Sequence, residues 1–214
     1  MKNIKKKILV TGGTGFIGSS IVNLLLTMKK QVVVYDNNFR GKINRPALNQ
    51  KRIKLIKGDI RDLKKLEKAS IGVDTIIHLA YINGTKYFYD IPTKVFDDNY
   101  RMTLNVLNSC KSVKTIRKFA YASSSEVYGS NPTIPTSEEE KIILNVFEDR
   151  DSYASAKAFG DFMTKLYCQE MGIEYLTFRI FNAYGPRMDN TEYGQVIPEF
   201  FRKSTEEGHF TIIG

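Results

Sequence analysis

Only two cysteines, Cys110 and Cys168, occur among the 214 residues. They lack metal-like spacing and fall in helix-like segments, which points to small buried hydrophobes in a reducing compartment. A cytoplasmic location is therefore expected. Histidine is as scarce, at His78 and His209, and no zinc spacing can be assembled. No apolar run approaches the roughly 20 residues that span a bilayer. The apolar stretch after the basic N-terminus stops at Thr11-Gly12-Gly13, too short for a secretory h-region of about 7–15 residues. Internal repeats, low-complexity tracts and an obvious interdomain linker are also missing. Lys and Arg outnumber Asp and Glu by 32 to 23, a formal net charge of +9. The basic residues are scattered, however, and neither a recognition helix nor an RNA-binding aromatic motif accompanies them. The excess charge reads as a solvated basic surface, with neither nucleic acid nor membrane as a partner.

What the chain does have is alternation. Strand-length apolar runs at Lys7–Val10, Val32–Tyr35, Ile53–Ile56, Thr75–Leu79, Lys118–Ala122 and Glu174–Phe181 alternate with helical patterns. The helical patterns cover Gly15–Met28, Leu63–Ala69, Thr93–Cys110 and Tyr153–Met171. This order predicts βαβ units and an α/β fold, a doubly wound parallel sheet of Rossmann type. The segments Asn37–Lys51, Tyr81–Pro92 and Gly129–Arg150 are longer than simple connections need, and long loops in compact α/β domains are often functional. The acidic run Glu138-Glu139-Glu140 in the third reads as a solvated face. From Asn182 the pattern changes to a polar loop, a helix over Gln195–Glu207 and a strand over Phe210–Ile213. Residues 1–181 are thus expected to form the nucleotide-binding domain, and 182–214 the opening of a small, apparently truncated substrate domain.

The first strand runs into Thr11-Gly12-Gly13-Thr14-Gly15-Phe16-Ile17-Gly18, a G-x-x-G-x-x-G series between a strand and a helix. Gly12, Gly15 and Gly18 permit a tight turn, close backbone approach to a pyrophosphate and close helix–sheet packing. Amides at the start of that helix, including those of Phe16 and Ile17, would hold the phosphates. Asp36 closes the second strand about 20 residues later, as expected for a carboxylate bonding ribose hydroxyls. An acid there favours NAD over NADP, although Arg40 nearby offers a partner for a 2′-phosphate. The competing reading of Asp36 is a turn residue. Asp59, followed by Ile60, faces the adenine or caps the next helix.

Tyr153 and Lys157 are four apart on one helix face. A free tyrosine has a pKa near 10, and neighbouring positive charge favours the phenolate and makes it a usable base. Upstream, Tyr121-Ala122-Ser123-Ser124-Ser125-Glu126-Val127-Tyr128-Gly129 follows the fifth strand, at the sheet edge where such folds bind ligands.

With these pieces in place, the chain resembles the extended short-chain dehydrogenase/reductases, the NAD-dependent epimerase/dehydratase family. The matching segments are Thr11–Gly18, Gly58–Asp59, His78-Leu79-Ala80, Asn99 with Thr103, Ser123–Gly129, Tyr153–Lys157 and Arg179–Pro186. The resemblance implies a nucleotide-diphosphate sugar as substrate and Ser124 as the hydroxyl on its reacting oxygen. It implies Tyr153 as acid/base and Lys157 as its electrostatic partner and ribose ligand. Leu79, Ala80 and Asn99 would lie near the cofactor, and Ser125 and Asn182 near the substrate. For Asn99 a buried amide tying helix to sheet is an equal alternative. His78 reads as a satisfied structural histidine, as does His209. One departure stands out: Tyr81 replaces the small residue that often follows Ala80 in the family, so a reshaped cofactor wall is expected. Resemblance also implies a homodimer through Thr93–Cys110 and Tyr153–Met171, whose surplus apolar positions include Met102, Val106, Leu107, Phe159, Met163 and Tyr167.

The reaction implied is oxidation of the sugar at C4, followed by 4-epimerisation, 4,6-dehydration or uronate decarboxylation. Ser124 favours epimerisation. Glu126, a carboxylate placed to act at C5, keeps dehydratase and decarboxylase open. A non-catalytic NAD-binding regulator is the alternative from another class, and the intact Ser124, Tyr153 and Lys157 set argues against it.

Overall fold

The structure is a computed structural model that describes residues 6–40, 51–130, 132–149, 151–188 and 196–206. Six strands form one parallel sheet: β1 Lys7–Thr11, β2 Gln31–Asp36, β3 Ile53–Lys57, β4 Thr75–His78, β5 Lys118–Ser124 and β6 Glu174–Ile180. Their spatial order is β3-β2-β1-β4-β5-β6. The helices are α1 Phe16–Thr27, α2 Leu63–Ser70, α3 Thr85–Asp90, α4 Pro92–Ser112, α5 Asp151–Met171 and α6 Val196–Glu206. This is the doubly wound architecture expected from the alternation of apolar runs. The expected strand over Phe210–Ile213 lies outside the described residues, as does His209.

Strand periodicity explains the two layers. Ile8, Val10, Val32 and Val34 face one side and pack with Val22, Leu25 and Leu26 of α1. Their neighbours Leu9, Val33 and Tyr35 face the other side, with Leu66 of α2, Val106 and Leu107 of α4 and Met163 of α5. Each fully buried aliphatic side chain contributes about 1.5–3 kcal/mol. Local signals set the helix ends. Pro92 occupies the first turn of α4, where its missing N–H costs nothing. Asp62 caps α2 by accepting the Lys65 amide at 3.0 Å. That corrects one reading of Asp59, which is not the cap.

Four of the six surplus apolar residues on α4 and α5 prove to be core. Met102, Val106, Leu107 and Met163 are all buried, because α4 packs against both α2 and α5 as well as over the sheet. Phe159 is half exposed, in edge contact with Phe96 and Tyr100. Cys110 and Cys168 are buried free thiols, and burial pushes both up, Cys168 to about 11. Among the described residues no helix is long and apolar enough to cross a membrane.

The order of the strands reverses between β1 and β4. In sheets of this kind, the crevice at the carboxyl ends of strands beside that switch point receives ligands.

Candidate active site

The glycine turn lies at the carboxyl end of β1. Gly12 adopts φ +69°, and a Cβ there would meet the Ala80 nitrogen at 2.8 Å. At Gly18 a Cβ would fall 2.1 Å from the Gly12 carbonyl oxygen. The turn is therefore closed against both the β4 exit and its own helix. Gly15 precedes α1 with no side-chain cap, and the first turn carries no acid. Its amides and the positive helix end are left for an anion from outside the helix. Phe16 and Ile17 are partly exposed in this first turn. Gly185, in the segment after β6, lies within 3.7 Å of the Phe16 ring for an added Cβ, and Arg187 donates to Ser20 Oγ at 2.9 Å.

Asp36 stands at the end of β2 and does more than finish a strand. Its Oδ2 accepts the Thr14 amide at 3.0 Å and its Oδ1 the Asn38 amide at 2.8 Å. Turn residue and loop anchor are thus combined, and each oxygen retains a second acceptor direction for a ribose hydroxyl. Arg40 donates to the Asn83 carbonyl, a backbone contact on the loop after β4. Asp59 is chelated by Arg61, whose Nε and Nη2 reach its two oxygens at 2.9 and 2.7 Å. Those bonds hold the Asp59 carboxyl down at about 2. Arg61 also reaches Asp98 at 3.0 Å. Ile60 is a core residue, so only its backbone is offered to a ligand.

The β4 exit is organised from below. Leu79 N donates to Thr11 Oγ1 at 3.1 Å, and the same oxygen meets His78 Nδ1 at 2.7 Å. His78 is fully buried, and burial, aided by the Lys157 charge, pulls it down to about 3. It is a neutral structural imidazole, as its place at the end of a buried strand implied. Asn99 is also fully buried. Its side chain accepts from Ile82 N at 2.8 Å and donates to Ile82 O at 3.1 Å. This helix-to-loop tie is one of the two roles expected for Asn99.

Three sequence-nominated groups converge past the end of β5. Ser124 Oγ accepts the Glu126 amide at 3.3 Å and caps the short 3₁₀ turn Ser125–Tyr128. Burial raises the proton affinity of the Tyr153 phenol above the free value, and the Ser124 hydroxyl opposes this only in part. Tyr81 and the negative charge of Glu126 push the same way as burial. Lys157 is buried, and burial lowers its pKa well below the usual lysine value, opposed by Asp161. Its ammonium donates to Ala122 O at 2.5 Å and lies 5.7 Å from the Tyr153 ring centroid. Ser125 is partly exposed, and Asn182 is exposed after the end of β6.

Two aromatic residues complete the site without having been nominated for it. Phe88 of α3 stacks on Tyr153 with centroids 4.8 Å apart and planes 20° apart. Tyr81 meets Tyr153 edge-on at 6.2 Å. Tyr81 was visible as a departure from a familiar pattern. Phe88 carried no sequence signal, because α3 has six residues and no side-chain cap.

The sheet order and the glycine turn define a Rossmann-type dinucleotide-binding protein with a Ser-Tyr-Lys site. The sequence profile of the NAD dependent epimerase/dehydratase family matches residues 8–214, and the chain belongs to that family. It is 33% identical over 213 residues to UDP-glucuronic acid decarboxylase 1 of Xenopus tropicalis, covering 98% of this chain and 48% of the relative. The chain thus spans about half the length of that curated relative. Among solved structures it resembles a UDP-N-acetylglucosamine 4-epimerase from Methanobrevibacter ruminantium, with TM-score 0.84 and 33% identity. That match covers 98% of this chain and 65% of the other. A UDP-glucose 4-epimerase from Thermus thermophilus, solved in complex with NAD, matches with TM-score 0.74 and 30% identity over 86% of this chain and 58% of that one.

NAD is the cofactor of the family, and the residues present fit it. The left-handed Gly12, the side-chain-free start of α1 and the Asp36 carboxylate form a cradle for a pyrophosphate and a ribose, and a Cβ at Gly12 or Gly18 would close it.

Proposed function

We propose that this chain supplies the cofactor-binding and proton-transfer part of an enzyme that oxidises a UDP-sugar at C4 and re-reduces it as the 4-epimer. The observation that carries the reading is the convergence of Ser124, Tyr153 and Lys157 at the carboxyl edge of β5, across the switch point from the uncapped α1. Loop amides from Gly12 to Ile17 and the Asp36 carboxylate would hold the pyrophosphate and the adenosine ribose. Asp59 and the Ile60 backbone would face the adenine, and the Leu79–Ala80 backbone would line the cofactor's path. NAD, when bound, supplies the reversible removal of hydride from the sugar carbon and a positive charge near the reacting oxygen.

Ser124 would orient the 4-hydroxyl, and Tyr153 would take its proton. In the present surroundings Tyr153 is a phenol, since burial and Glu126 both raise its proton affinity. Nearby positive charge must lower that affinity before it can act as a base. Lys157 is the cation on the same helix face. Epimerisation requires no protein group beyond these three: the 4-ketone turns its other face and the proton returns from Tyr153. A second reading is decarboxylation of a UDP-uronate, favoured by the curated relative and by Ser125-Glu126. In a 4,6-dehydratase, Glu126 would instead be the base at C5.

Residues 182–214 are read as the start of the substrate-binding region, with Ser125 and Asn182 toward the nucleotide sugar. A homodimer is retained as a proposal, now resting on the exposed Phe96, Phe159, Phe162 and Leu166 of α4 and α5. Sedimentation at micromolar concentration checks it, and a persistent monomer contradicts it.

The deciding assay incubates the full-length protein with UDP-glucose, UDP-N-acetylglucosamine and UDP-glucuronate and reads products by NMR. A C4 epimer is expected. Release of carbon dioxide from UDP-glucuronate selects the second reading, and a 4-keto-6-deoxy sugar selects dehydration. An NAD-loaded protein that transforms none of them sinks the C4 reading for UDP-sugars.

A further inference from the structure

Lys157 does not lie against its helix partner alone. Its ammonium stands over the face of Tyr81, 3.3 Å from the ring centroid. The Tyr81 ring is held from its far end. Its hydroxyl meets Tyr121 Oη at 2.6 Å and Thr103 Oγ1 at 2.9 Å and lies 3.4 Å from Ala156 O. Tyr121 in turn lies 3.4 Å from Lys157 O. Gly160 makes room for that hydroxyl: a Cβ there would sit 2.0 Å from Tyr121 Oη. Strands β4 and β5 and helices α4 and α5 thus all contribute to seating one aromatic ring beneath one buried cation.

We propose that Tyr81 is a positioning residue for Lys157, its ring face fixing where the ammonium stands beside Tyr153 and its hydroxyl fixing the ring. The inference rests on the reading of Lys157 and Tyr153 as the proton-transfer pair. Among the described residues, the groups around Lys157 come from several elements. Tyr81 comes from the loop after β4, His78 from β4 itself, and Tyr121 and the Ala122 carbonyl from β5. Tyr153 and Asp161 come from α5, and Arg179 of β6 pairs with Asp161 at 3.5 Å. Glu126 acts on Tyr153. Burial alone drives Lys157 toward its neutral amine. A desolvated ring face favours the ammonium, as does Asp161. Removing the ring while keeping the site dry therefore lowers the Lys157 pKa further.

The test uses the full chain with lysine ¹³C-labelled at Cε, Lys157 being assigned as the resonance missing from Lys157→Arg. In the wild type its Hε protons should show an upfield ring-current shift, and its titration should fall below that of the other lysines. Tyr81→Phe keeps the ring but frees its far end, and should retain the upfield shift at reduced size while moving the titration point less than loss of the ring does. Tyr81→Leu should abolish the ring-current shift and lower the titration point by about one pH unit or more, a tenfold change in proton affinity. Tyr81→Met fills similar space without a ring and serves the same comparison if the leucine variant is unstable. Wild-type Hε protons without a ring-current shift overturn the proposal. So does a Leu or Met variant with unchanged shift and titration. These readouts need neither cofactor nor sugar, so a failure of the C4 chemistry leaves them intact and is distinguished from a failure here.

Discussion

The two halves of the candidate site are built from opposite materials. On the adenosine side, Asp36 and Asp59 are partly exposed carboxylates held mainly by residues close in sequence, Asn38 to Asp36 and Arg61 to Asp59, with the Thr14 amide of the glycine turn as the one more distant donor to Asp36. On the reaction side, Tyr153 and Lys157 are buried among Tyr81, Phe88 and Tyr121, held by contacts from residues 36–76 positions away. The difference teaches where each half gets its order. Local motifs suffice for binding anions and hydroxyls, whereas placing a cation and a phenol in a dry site takes several elements at once.

The largest effect should come from the reaction side. Tyr153→Phe in the full-length enzyme should reduce turnover by about 10²–10⁴-fold with little change in NAD affinity. Near-normal turnover would break the comparison, since Tyr153 would then be packing alone. Next comes the turn that both halves share. Gly18→Ala forces a Cβ against the Gly12 carbonyl, at a cost of about 1–3 kcal/mol of stability and with loss of NAD binding. Thermal melting and calorimetry read the two effects, and unchanged NAD affinity would show that the turn tolerates opening.

The fold was legible because every buried parallel strand is an apolar run and five helices are long enough to show their period. The dinucleotide loop was legible because its glycines recur at every third residue between a strand and a helix. What stayed hidden was α3, six residues starting after Gly84 at φ 149° with no cap signal, and with it Phe88. Hidden too was the fate of Met102, Val106, Leu107 and Met163. Periodicity counts apolar positions, but not how many neighbours a helix must satisfy, and α4 has three helices, α2, α3 and α5, beside it as well as the sheet. Asn99 shows the limit most sharply. Resemblance implied a place near the cofactor, whereas the two bonds to Ile82 across 17 residues became visible only in the fold.

His78 offers a test that crosses the divide. Its folded pKa of about 3 lies below the ordinary 6.5, so the unfolded chain takes up a proton before the folded one does. Its neutral form contributes fully above pH 6.5, and stability falls as pH drops from there toward 3, by about 1 kcal/mol per unit. Denaturation midpoints measured across that range should show a shallower slope in His78→Gln. An identical slope would mean that His78 is not the group held neutral.

Asp36→Ala should narrow the preference for NAD over NADP by roughly tenfold, on the scale of one charge-assisted hydrogen bond. Calorimetry with both cofactors decides, and tighter wild-type binding of NADP would assign the choice to Arg40. The smallest effect belongs to Asp59. Its pKa is held at about 2, so it stabilises the fold above pH 4 and loses that contribution as pH falls from 4 toward 2. With side chains 33% and 44% exposed, the Asp59–Arg61 pair is screened and is worth at most about 1 kcal/mol. Arg61→Ala should shift the acid midpoint only slightly. A large shift would place this pair with the buried groups.

Gly160 sets a trap for anyone seeking a hardier variant. A glycine in the middle of a 21-residue helix invites replacement by alanine, an exchange that adds about 0.5–1 kcal/mol in an open helix. Here the new methyl would occupy the place of the Tyr121 hydroxyl and push that ring from its partners. A thermostabilisation campaign guided by helix propensity would therefore choose this position and lose by it. The position is a keyhole in the helix wall, and its emptiness is what lets the strand beneath reach through.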